Sequence, residues 1–120
     1  MPLVRWLRNL RERLRRPRAD EARGLQLLRE WLSREQLIQY DAHGYFDVIG
    51  CDSGKWYRIH HGTAMNVFEL DGDNGRPRAG LCFTTGTGLV TGDVMLAQKI
   101  ALETREMSTL AIANRFAVRP

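Results

Sequence analysis

Residues 44–84, GYFDVIGCDSGKWYRIHHGTAMNVFELDGDNGRPRAGLCFT, decide the fold. They contain four runs, at 45–49, 56–61, 65–70 and 80–84, each short and rich in aromatic and β-branched side chains, which suit a pleated, half-buried surface. Between the runs lie CDSGK at 51–55, the pair Gly62-Thr63 and DGDNGRP at 71–77. Such segments supply the positive φ angles and side-chain-to-backbone bonds of tight turns. Connections this short join antiparallel neighbours, so the expected product is a four-stranded β-meander. Phe46 and Val48 alternate with Tyr45, Asp47 and Ile49, and one set, joined by Tyr57 and Ile59, should face the core.

Helical signals flank this sheet. At 100° per residue, Leu3, Leu7, Leu10 and Leu14 form one stripe, with Trp6 and Val4 beside it, and arginines occupy the other side. Pro17 is expected to end or kink this helix. Asp20 and Glu21 open a second helix with apolar positions Ala22, Leu25, Leu28, Trp31 and Leu32, and Gly24 as a weak point. Ser33 with Gln36 has capping-box spacing and predicts a break followed by a short third helix to about Tyr40. After the sheet, Thr91 or Asp93 can cap a helix whose buried stripe would be Leu96, Ala97, Ile100, Ala101 and Thr104; residues 108–114 continue it or form another. The fold class is α+β, the meander being covered on one face by amino- and carboxy-terminal helices. The division is an arginine-rich extension, 1–18, and a single small domain, 19–120.

The chain of 120 residues carries a net charge of +4, unevenly placed. Residues 1–18 hold Arg5, Arg8, Arg11, Arg13, Arg15, Arg16 and Arg18 against Glu12 alone, or +6; the other 102 residues hold eleven basic and thirteen acidic side chains, or −2. Charge concentrated in an appendage points to an anionic partner. Arginine alone supplies it, suiting bidentate contact with phosphate or carboxylate. Three readings of the helix are open: its leucine stripe packs on the body; it lies on an anionic membrane with Trp6 at the interface; or it faces phosphates or an acidic protein. On the membrane and protein readings, the apolar docking face is Leu3, Trp6, Leu7, Leu10 and Leu14.

Motifs for chemistry are weak. GTGLVTG at 86–92 follows a strand and opens a helix, but its third glycine is one place late for a dinucleotide fingerprint and only 28 residues follow. DGDNG at 71–75 lacks the glycine and glutamate positions of a calcium loop and reads as a hairpin turn. Cys51, Cys82, His43, His60 and His61 are the soft-metal candidates, without CxxC or HxxxH spacing. Cys51 with His60 is a conceivable nucleophile and base. No metal, cofactor or small-molecule substrate is therefore expected. Two cysteines without a framework suit a reducing, cytoplasmic setting, and neither a spanning segment nor a secretory leader is expected.

Several words between Ser33 and Phe116 have counterparts elsewhere: GYFDV at 44–48, YRI at 57–59, Asn66-Val67, Leu70-Asp71, LCF at 81–83 and GDVMLAQKIALE at 92–103. On these the chain resembles a set of small, uncharacterised bacterial proteins, some in phage or mobile-element settings. The resemblance implies a compact body and assigns no activity; it does not reach the arginine-rich helix. The expectation is a non-enzymatic binding or adaptor module that attaches through residues 1–18 to nucleic acid or a nucleoprotein assembly. The alternative is a peripheral membrane or protein-complex accessory subunit, and a third is a small enzyme or metal protein using Cys51, Cys82 or His60.

Overall fold

A computed structural model describes the backbone of residues 2–83 and 90–118; the side chains of residues 2, 3 and 10–18 lie outside that description. The order is α1 (Pro2–Trp31), α2 (Arg34–His43), β1 (Tyr45–Ile49), β2 (Trp56–His60), β3 (Val67–Leu70), β4 (Pro77–Cys82), α3 (Thr91–Thr104), α4 (Glu106–Ile112) and β5 (Asn114–Phe116). The class is α+β with an antiparallel sheet, but the sheet has five strands, ordered β1-β2-β3-β4-β5. The fifth was not expected. Residues 114–116 return from α4 to the free edge of β4, placing Asn114 opposite Cys82 and Phe116 opposite Gly80. Gly80 makes room for this, since a Cβ there would lie 2.0 Å from the Phe116 ring.

The expected alternation holds in β1 and β2. Phe46, Val48, Tyr57 and Ile59 are buried and, with Val67 and Leu81, meet Leu28 of α1 and Met95, Leu96 and Leu102 of α3 in one core. The hairpin at 71–75 also holds: Gly75 donates to Asp71 O at 2.8 Å, with Gly75 at φ 68°. Ser33 and Gln36 form the reciprocal capping box, and Gly44 closes α2 at φ 75°. Asp47 turns its backbone outward from β1 and is met there by α2, Gln39 Oε1 accepting from its N–H at 2.7 Å and Gln36 Nε2 donating to its carbonyl at 3.0 Å. Two glutamines thus occupy an edge that would otherwise be open to another strand.

Four expectations need correction. Pro17 does not end the first helix; α1 passes through it. A proline removes one i→i−4 bond, and the surrounding leucine, arginine, glutamate and alanine are strong helix formers that carry the helix across the gap. Trp31, one of the apolar positions given to the second helix, is exposed, whereas Leu28 is fully buried and Leu25 and Leu32 pack at the core margin. In α3 the buried positions are Gly92, Met95, Leu96, Gln98 and Leu102, while Ile100 and Thr104 face outward. Finally, α3 has no side-chain cap of its own; the Glu21 carboxylate of α1 accepts from Thr91 N at 3.3 Å instead.

That last bond belongs to a close crossing of α1 and α3. A Cβ on Gly92 would stand 2.1 Å from the Gly24 carbonyl, and one on Gly24 would stand 2.4 Å from Val90. Gly24 is therefore the contact point of two backbones, and the crossing fixes α1 by its carboxy-terminal half.

Candidate functional site

Packing of α1 on the body is built around Glu21, Gly24, Leu25 and Leu28. Towards the amino terminus, Val4, Arg5, Trp6, Leu7, Arg8 and Asn9 are all exposed, Trp6 at 59%. A 30-residue helix is ~45 Å long, and the molecule measures 65 × 29 × 29 Å. Of the expected anion-binding side chains, Arg5 and Arg8 stand in solvent; those of Arg11, Arg13, Arg15, Arg16 and Arg18 lie outside the described residues. Of the apolar docking face, Trp6 and Leu7 are exposed, and the side chains of Leu3, Leu10 and Leu14 lie outside the described residues.

The candidate chemistry of the cysteines and histidines does not assemble. Cys51 follows the Ile49 end of β1, whereas His60 pairs with Tyr45 at the other end, four residues of strand, or ~14 Å, away. Cys82 sits on β4, opposite Asn114. Both cysteines are free thiols. What the fold does bring together is Cys51, Asp52 and Glu106, whose donor atoms lie within 4.8 Å of one another.

These groups are engaged with their own backbone. Glu106 Oε1 accepts from the amides of Asp52 at 2.8 Å and Ser53 at 2.7 Å; Oε2 accepts from the Tyr57 hydroxyl at 2.6 Å and from Ser53 Oγ. Cys51 Sγ accepts from Glu106 N and Asp52 Oδ2 from Met107 N. A carboxylate has about four acceptor positions, and Glu106 uses them all. Burial alone would raise its pKa, but the bonds from Ser53 and Tyr57, then the two amides, outweigh it and hold the group at about 2. Burial and then the adjacent carboxylate push the Tyr57 phenol up. Gly50 leaves room for this carboxylate, since a Cβ there would lie 2.2 Å from it. The cluster joins the 50–55 loop to α4, a structural role with no local sequence signal, because Ser53 and Glu106 are 53 residues apart.

A second buried polar joint pairs Asn66 with Gln98, amide to amide, at 2.9 and 3.0 Å. Cavities of about 460 and 490 Å³ are lined by described residues. One lies between α3 and α4 beside Phe83, Ile100 and Ile112; the other is between α2 and β1 beside Gln39, Asp47 and Trp56. No cysteine or histidine lines either, so neither offers a nucleophilic thiol with an imidazole base. The GTGLVTG segment at 86–92, which falls short of a dinucleotide fingerprint, lies largely outside the described residues; Gly92 is already helical.

The sheet face away from the core bears a feature not foreseen. Tyr45, His60, Phe68 and Phe116 form a row across the strands, with successive ring centroids 5.1, 5.3 and 5.7 Å apart, and His43 stacks on Tyr45 at 5.2 Å. The Arg58 guanidinium lies over the Tyr45 ring at 4.1 Å and is fixed there by a two-point pair with Asp47 at 2.8 and 3.1 Å. Tyr45, Asp47, Arg58, His60, Phe68 and Phe116 share the outward face by register, and His43 joins them from the end of α2. Among the described residues no helix is long and apolar enough to cross a membrane. No protein-family model, no curated protein and no solved structure matches the chain.

Proposed function

We propose that this chain is a small, non-enzymatic binding module whose arginine-rich helical extension attaches the α+β body to an anionic macromolecule, nucleic acid or a nucleoprotein assembly. The observation that carries the reading is the continuity of α1 from Pro2 to Trp31. The seven arginines and one acid of residues 1–18 ride on a helix whose anchoring contacts among the described residues come from its second half. A rigid basic rod presents its charges together, as phosphate neutralisation requires. The body adds a lesser argument: its most polar cluster, around Glu106, is saturated by structural bonds.

The test replaces Arg5, Arg8, Arg11, Arg15 and Arg16 by glutamine, which keeps helix propensity and removes charge. Affinity for a labelled DNA duplex is measured across a salt series. If three or four arginines touch phosphates, the parent's log–log salt slope is about −3 to −4. The variant should stay folded and lose duplex affinity for all sequences alike, since phosphate contacts position without specifying. Unchanged affinity in the variant refutes the reading. A second reading, attachment to an anionic lipid surface, is favoured by the exposed Val4, Trp6 and Leu7. On that reading Trp6→Ala reduces binding to anionic vesicles while leaving duplex affinity intact.

A further inference from the structure

We infer that the open face of the sheet is a stacking platform for the bases of a single-stranded nucleic acid. The inference rests on the reading that nucleic acid is the partner and assigns it a second, distinct contact surface. Three observations lead to it.

The first is the row itself. Tyr45, His60, Phe68 and Phe116 come from β1, β2, β3 and β5, and β4 contributes Gly80 beneath the Phe116 ring. Strands lie ~4.8 Å apart, so the five-stranded sheet is ~19 Å across, and the row reaches from its first strand to its last. Flat apolar rings at such intervals suit a chain of flat bases, and stacking is indifferent to base identity because every base has a π face.

The second is where the helices lie. α1 and α3 send Leu28, Met95, Leu96 and Leu102 into the opposite face, and α2 is occupied with the β1 edge through Gln36 and Gln39. Among the described residues the helical contribution to the row is His43, the last residue of α2, which stacks on Tyr45 at its β1 end.

The third is charge, which selects the occupant. Asp47 is the one acid at the outward positions of the strands, and Arg58 neutralises it. Arg78, the extra residue of β4 where its register with β3 shifts, is exposed and has no carboxylate partner among the described residues. Burial and then Arg58 push the His60 imidazole below its ordinary pKa, which favours the uncharged ring within the row. The face is thus aromatic, with its acid neutralised and an exposed cation on β4 of the same sheet, which suits a polyanion that carries aromatic bases. An acidic or plain apolar partner would use only half of this chemistry.

The experiment is anisotropy titration of labelled oligo-dT, oligo-U and a DNA duplex with the full chain, the double variant Tyr45→Leu/Phe68→Leu, and the glutamine variant of α1. Leucine keeps apolar volume and removes the ring, and the melting curve checks folding. The double variant should lose about tenfold in single-strand affinity for each ring replaced. Its duplex affinity and salt slope should match the parent, since no charge changes. Comparison of oligo-dT with oligo-U separates DNA from RNA. Single-strand affinity equal to the parent overturns the platform and leaves α1 standing. Loss in the double variant with no effect of the arginine changes does the reverse. Ultraviolet cross-linking of the unaltered chain to oligo-U supplies an independent readout should the double variant fail to fold. Adducts on Tyr45, His60, Phe68 or Phe116 support the platform, and adducts confined to residues 1–18 refute it.

Discussion

The two halves of α1 share one continuous helix and opposite environments. In the second half Gly24 meets the backbone of α3, Leu28 is fully buried and Glu21 caps its neighbour; in the first, Val4, Trp6 and Leu7 stand exposed among arginines. A helix in a globular protein usually draws its stability from packing of an apolar face, because propensity alone is marginal. Here the packed half holds the helix in place, and the bare part described in the first half is residues 4–9. The difference separates what keeps the protein folded from what is available to a partner, and substitutions on each side should divide accordingly.

The largest effect belongs to the body. Phe46→Ala removes a fully buried ring from the centre of the sheet's inner face, and such truncations cost ~3–5 kcal/mol, a large share of a small domain's stability. Chemical denaturation should report that loss. A variant as stable as the parent would mean that the body is not held by this core and would dissolve the contrast with the bare half of α1.

A somewhat smaller effect is expected at Glu106. Glu106→Gln sets an amide NH₂ against hydroxyl and amide donors where four bonds to a carboxylate stood; about 2–4 kcal/mol should be lost. The same site predicts a pH dependence. The folded pKa of about 2 lies below the ordinary glutamate value of ~4.3. The stabilisation is therefore fully present above the unfolded pKa and is lost as pH falls from about 5 towards 2. The gap corresponds to roughly 3 kcal/mol. Thermal melts across that window should fall less steeply for Glu106→Gln than for the parent. Equal slopes would show that other carboxylates, such as Glu69 between Lys55 and Arg115, carry the acid sensitivity.

Local signals made part of this readable from sequence. The Ser33–Gln36 capping box, the turn at 71–75 and the alternation through Phe46, Val48, Tyr57 and Ile59 depend on residues a few places apart, and each appears as expected. What escaped depends on distance. Asn-Arg-Phe at 114–116 has no strand pattern of its own; it becomes β5 because β4 offers an edge and Gly80 admits the Phe116 ring. Glu106 gave no sign of its partners at 52, 53 and 57. The outward set of β1 was legible, but which ring stands beside Tyr45 follows only from pairing Tyr45 with His60 and Arg58 with Phe68. The charge asymmetry of residues 1–18 was plain in the sequence, whereas the passage of the helix through Pro17 was not.

The smallest expected effect gives the sharpest comparison, because it is made within a single helix. Trp6→Ala truncates the larger side chain, yet 59% of that residue is already in water; Leu28→Ala truncates the smaller, with none of it exposed. If size governed, the tryptophan change would cost more. Burial governs instead: an exposed substitution away from caps and networks shifts stability by ~0.5 kcal/mol or less, whereas emptying a closed leucine site costs ~2–5 kcal/mol. Parallel denaturant titrations of the two variants measure the ratio directly. A Trp6→Ala loss approaching that of Leu28→Ala would place the first half of α1 against the body or against a second copy in solution. Repeating the titration at several protein concentrations separates those two outcomes, because only stability derived from association depends on concentration.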